Sequence, residues 1–125
     1  MKTYAVAVFF ILATTLATGT AQAGGQPATI NGYVIDSACT FVKNLKRPVS
    51  RECAIACAKA GSPLVILSST GKIYWPISDK VPAAGQNRQL LPFADDRVVV
   101  TGTVYERGGS RAIVIQNVKA VHDAQ

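Results

Sequence analysis

Two stretches of the chain, Ile30-Asn31-Gly32-Tyr33-Val34 and Val100-Thr101-Gly102-Thr103-Val104, set a glycine in the middle of a run otherwise suited to β-structure. A glycine inside a strand costs conformational entropy and leaves a gap in packing, so it belongs where the strand bends sharply or another backbone comes close. Bent strands are what close small barrels. Around these two points the remaining periodicities arrange themselves. Ala28 to Asp36 alternates, with Ile30, Gly32 and Val34 on one face and Tyr33 and Ile35 on the other. Leu64 to Leu67 and Lys72 to Ile77 flank Ser68-Ser69-Thr70-Gly71 as a hairpin. Arg97 to Glu106 and Arg111 to Val121 form a second hairpin through Arg107-Gly108-Gly109-Ser110. Five strands bent at the first and the fourth predict a mainly β fold, a small OB-like barrel; an open antiparallel sheet with one helix is the alternative.

One short helix is expected between the first two strands. Ser50 is placed to cap it, Glu52 lies in its first turn, Gly61 follows its end and Pro63 prevents continuation. On a helical wheel Cys53, Ala56, Cys57, Ala60 and Gly61 share a side, and Glu52 and Lys59 fall opposite, so the small-residue side is expected to face the sheet. The preceding segment, Thr40 to Val49, holds Lys43, Lys46, Arg47 and Pro48 and reads as a basic loop. Val81 to Asp96 reads as mostly irregular, with one helical turn near Arg88 to Leu91.

The first 23 residues have a different character. Met1-Lys2 is followed by a largely apolar run from Tyr4 to Ala17 and by Ala21-Gln22-Ala23, the pattern of a secretory signal peptide cleaved after Ala23. The run is short for a transmembrane helix, which needs about 20 residues. Export to the periplasm or medium is therefore expected, with no membrane span left after cleavage. Residues 24–29 read as a flexible N-terminal segment and 30–125 as the OB-like domain. With 49% apolar and 16% charged residues among 125, the composition excludes a disordered chain and leaves room for one core.

Gly32-Tyr33-Val34-Ile35-Asp36-Ser37-Ala38-Cys39, then Cys53 to Leu64 with Cys57 four residues on, then the Val-Thr-Gly strand, resemble a group of small exported bacterial OB-fold-like proteins of poorly defined function. The likeness covers roughly Ile30 to Val121. It implies the fold and export, and no reaction. Members of the group often carry a histidine three residues before the second cysteine, where this chain has Ser50, a departure that weakens any metal site argued by analogy.

The chemistry-bearing residues are Cys39, Cys53 and Cys57. Outside the cytoplasm an odd number of cysteines means a bridge plus a free thiol, an intermolecular bridge, or shared coordination of a metal. Cys53 and Cys57 lie one helical turn apart, which presents both sulfurs on one side and suits a metal better than a mutual disulfide. Cys39, at the end of the first strand, is then the cross-link partner. A Cys39–Cys57 bridge would staple the helix to the barrel and leave Cys53 as the free, more reactive thiol in the first helical turn. That bridge closes a loop of about 18 residues and contributes on the order of 3 kcal/mol in the chain-entropy treatment. The metal alternative uses Cys39, Cys53 and Cys57 with His122, the sole histidine, as ligands for zinc or copper, since the C-terminal ends of the first and last strands share one end of such a barrel.

No motif positions a catalytic nucleophile: a cysteine with His122 and Asp36, Asp95 or Asp123 forms no recognised spacing, and C-x-x-C and C-x-x-C-H are both absent. A non-enzymatic binding or accessory module is the expectation, with an envelope metal-binding or thiol-redox protein as the alternative. The net charge of +6, which falls to +5 when Lys2 leaves with the signal peptide, and the basic loop Lys43, Lys46, Arg47 and Arg51 point to an anionic envelope ligand or another exported protein as partner. Export argues against nucleic acid, for which Phe41, Tyr74, Trp75, Phe93 and Tyr105 would otherwise offer stacking surfaces.

Overall fold

A computed structural model describes residues 24–48 and 50–122; the expected signal peptide and Asp123 lie outside the described residues. The chain folds as β1 (Gln26–Asp36), α1 (Ser37–Val42), α2 (Arg51–Lys59), β2 (Leu64–Ser68), β3 (Ile73–Pro76), α3 (Asn87–Leu90) with a 3-10 turn (Leu91–Phe93), β4 (Arg97–Arg107) and β5 (Ser110–Ala120). The strands close into a barrel in the order β1-β2-β3-β5-β4. All neighbours are antiparallel except β3 and β5, which run parallel through Trp75↔Ala112 and Pro76↔Ile113. The result is the expected mainly β, OB-like barrel of five strands.

Closure depends on the two strand glycines, through close approach rather than an unusual backbone angle. A Cβ on Gly32 would stand 2.2 Å from the Leu67 carbonyl oxygen on β2, and one on Gly102 would stand 2.2 Å from the Val114 oxygen on β5. Gly102 also adjoins the shift in register between β4 and β5. At the β4–β5 connection Gly108 and Gly109 both take positive φ, at 56° and 79°, which matches the two-residue hairpin turn to the strand twist.

Inside the barrel Val34, Leu64, Ile66, Leu90, Val98, Val100 and Ile113 form the main core. A second cluster, Ile35, Val65 and Leu67, lies on the opposite face of β1 and β2, with Leu45, Ile73 and Trp75 packed on it. Those strands are apolar on both faces because the segment after β1 folds back over their outer side. Asn87 joins three parts of this frame: its Oδ1 accepts from Leu64 N at 2.7 Å, and its Nδ2 donates to the Ser62 oxygen at 2.8 Å and the Ala58 oxygen at 3.3 Å.

The structure differs from the sequence expectations at four places in this region. β1 begins at Gln26, inside the segment read as flexible, because Gln26 and Pro27 pair with Val104 and Thr103 of the long β4. Two helices rather than one follow β1. Cys39 belongs to the first of them instead of ending the strand, because the Asp36 side chain accepts the Cys39 N–H at 2.7 Å and so caps a new helix. Finally, α2 buries Ala54 and Ala58, while Ala56, Ala60 and Gly61 are exposed. The cysteine side of α2 is thus a flank of the buried face, turned towards α1 rather than onto the sheet. The expected capping of α2 is present: Ser50 Oγ accepts from Cys53 N at 3.1 Å, and Gly61 follows the helix at φ 101°.

Candidate metal centre

Cys39 on α1 and Cys53 and Cys57 on α2 bring their Sγ atoms together, all within 4.8 Å of one another, and each side chain is half-buried. Three local choices in the sequence produce this. Asp36 ends β1 and caps α1, which turns Cys39 outward at the third helical position. Ser50 starts α2 so that Cys53 falls in its first turn and Cys57 one turn later on the same side. The loop between the helices returns the chain so that the two flanks oppose.

Asp36 sits beneath the cluster, 1% exposed. Its Oδ1 accepts from Cys39 N, its Oδ2 accepts from the Ser62 hydroxyl, and its main-chain oxygen accepts from Thr40 Oγ1 at 2.8 Å. Burial by itself would raise the Asp36 carboxyl, but the bonds from Ser62 and from the Cys39 amide outweigh it and hold the carboxyl below its ordinary value. The carboxylate acts in turn on the thiols. Hydrogen bonding to Asp36, then burial, then the Asp36 charge push the Cys39 thiol up to about 11. Burial and the same charge raise Cys57. The free thiolates of Cys39 and Cys57 are disfavoured in this field, whereas a cation bound there would be favoured by it.

None of the three cysteines forms a disulfide, so the Cys39–Cys57 bridge is not a feature of this structure. The three sulfurs form one cluster. His122 does not join them. It is exposed, and the preceding Val121 N–H donates to the Arg97 oxygen at 2.8 Å, which leads the chain end along β4. Cys39 leaves β1 on the other flank, where the Ser37 N–H donates to the Pro63 oxygen before β2. Sharing one end of the barrel was therefore insufficient to make them neighbours.

The basic loop also divides. Arg51 turns to the far side of α2, where it donates to the Pro92 and Ala94 oxygens at 2.8 and 3.0 Å and approaches Asp96 at 3.4 Å. Lys43, Lys46 and Arg47 are exposed, and Lys46 lines a cavity with Phe41 and Leu45. The residues that sequence reasoning missed are Asp36 and Ser62. The spacing D-x-x-C, an N-cap side chain three residues before the amide it accepts from, was the available signal for Asp36.

Comparison with protein-family models, curated proteins and solved structures finds no match. Among the described residues no helix is long and apolar enough to cross a membrane.

Proposed function

We propose that this protein is an exported, non-enzymatic module that holds a soft metal ion, Cu(I) foremost, through Cys39, Cys53 and Cys57. The single observation that carries the reading is the convergence of all three Sγ atoms within 4.8 Å. Thiolates select Cu(I) and Zn(II) over harder cations. A three-sulfur set is complete for Cu(I), whereas Zn(II) prefers four ligands and would need a solvent oxygen for the last. Binding must displace the thiol protons, so affinity rises with pH and protons are released on loading. The buried Asp36 charge offsets part of that cost by attracting the ion.

The test is an anaerobic titration of reduced protein with Cu(I) against a chromophoric chelator. One equivalent should bind, with Cys39→Ser and Cys57→Ser each losing the tight site. Retention of that site in Cys39→Ser would refute the reading. The same proximity favours a competing reaction: oxidation of Cys39 and Cys57 to a disulfide, with loss of two protons and two electrons to an external oxidant, would remove two of the three ligands. Peptide mapping of unreduced protein isolated from the periplasm or medium distinguishes the two, and the same sample shows whether the chain begins at Gly24.

A further inference from the structure

A second feature of the surface involves α1. Between α1 with its following segment and the β2–β3 hairpin, a cleft of about 620 Å³ opens on the outer face of the barrel. Small-molecule sites fall in the range of roughly 300–1,000 Å³. The cleft is amphipathic. Leu45, Leu67 and Ile73, from the outer apolar cluster, together with Phe41, supply an apolar lining. Phe41 is 60% exposed, although its ring stacks on Trp75 with centroids 6.1 Å apart and planes 18° from parallel. Phe41 thus adds a solvent-open ring to the apolar side of the cleft.

Charge indicates what covers it. Among the described residues of the lining Lys46 is the one cation and none is a carboxylate. Beyond the Phe41–Trp75 pair an adjoining hollow is lined by Lys72 and Arg111, of which Arg111 is engaged with Glu106. Lys46 thus sets a positive charge beside the apolar wall, while Thr40, Asn44, Ser68 and Ser69 line the rest of the cleft.

We infer that this cleft binds a small organic anion with an apolar body, of the chemical class of medium-chain carboxylates. The chain lies against Phe41, Leu67 and Ile73, and the carboxylate meets Lys46. This site uses none of the three thiols and stands or falls apart from the metal reading.

Trp75 is the sole tryptophan and stacks on a wall of the cleft, so its fluorescence reports occupancy. The experiment titrates the purified protein with decanoate below its micellar concentration, with decanol as the uncharged counterpart. Decanoate should give a saturable change in Trp75 emission, and its apparent Kd should rise about 10-fold in Lys46→Gln while decanol titrations stay unaltered. Lys43→Gln, an exposed charge outside the cleft, should leave both titrations unchanged, and near-UV circular dichroism verifies that the variants are folded. Three results would overturn the assignment: no saturable response to decanoate, equal affinity for decanoate and decanol, or equal weakening by Lys43→Gln and Lys46→Gln.

Discussion

Replacing Gly32 by alanine adds one carbon where β1 meets the backbone of β2. The new Cβ would stand 2.2 Å from the Leu67 oxygen and 2.8 Å from Ser68 Cα, both main-chain atoms that no rotamer change can move. Carbon–oxygen contacts between strands ordinarily lie near 3.3–3.6 Å, so the strands must part by roughly 1 Å. In an open sheet the edge strand could swing away. Here Gly32 is paired on both sides, to Ser68 of β2 and Val98 of β4, and the closed barrel resists that opening. Overpacking costs about 1–3 kcal/mol, and one or two weakened ladder hydrogen bonds add about 1 kcal/mol each. The smaller entropy of the unfolded alanine chain returns about 0.4–1 kcal/mol. A net loss of about 3 kcal/mol corresponds to a fall in Tm of roughly 12–24 °C for a domain of this size. The assay is thermal and urea unfolding beside Gly85→Ala, where the added carbon meets nothing within 4 Å and stability should stay within about 0.5 kcal/mol of wild type. If Gly32→Ala were equally neutral, the strands would not be held as closely as the barrel requires, and the argument for closure would fail.

Asn87→Ala removes the side chain that joins α2, the start of β2 and α3 through three hydrogen bonds, and should cost about 2–3 kcal/mol at roughly 1 kcal/mol per bond; a change below 0.5 kcal/mol in urea unfolding would show that these bonds are replaced by water. The metal-free protein should lose stability at both pH extremes. Asp36, held below its ordinary value, contributes stability that is complete above the unfolded pKa near 3.9 and is lost as pH falls through the lower native value. Cys39, raised from 9.0 to about 11, remains protonated in the native state while the unfolded chain releases its proton, so stability also declines between those two values. Denaturation midpoints followed against pH should show the acid loss reduced in Asp36→Asn and the alkaline loss reduced in Cys39→Ser; unchanged profiles would remove these groups from the account.

The barrel was legible because its signals are local. Strand alternation, the two glycines and the turn residues at Gly71 and Gly108-Gly109 each act within a few residues, and each stands where the closed structure needs it. The helical insertion was legible only in part. Ser50 and Gly61 mark the ends of α2 through ordinary capping chemistry, whereas α1 has only six residues, too few for a helical period to appear. Its one signal is Asp36, read as the last residue of a strand because that is also what it is.

The thiol cluster shows where local reasoning ends. The spacing of Cys53 and Cys57 required a shared side of α2, and that much holds. Which side packs on the barrel is a different question, because alanine, glycine and cysteine differ too little in size and polarity to rank the faces of a short helix. The answer depends on the burial of Ala54 and Ala58, the latter in the main core, a contact with no trace in spacing. His122 failed as a ligand for a related reason: strand order puts two chain ends at one rim, but the flank on which each leaves the strand is set by Val121 and Ser37 hydrogen bonds that no periodicity encodes. The cleft lay further from view. Its lining comes from β1, α1, the basic segment, β2, the β2–β3 turn and β3, so no window of sequence contains it. What the sequence did hold was an oddity of composition: Phe41 and Leu45 sit among Lys43, Asn44 and Lys46 in a segment read as solvated loop. Apolar side chains spaced four apart in such a segment must either cover something or await a partner. Here Leu45 covers the outer cluster and Phe41 remains open.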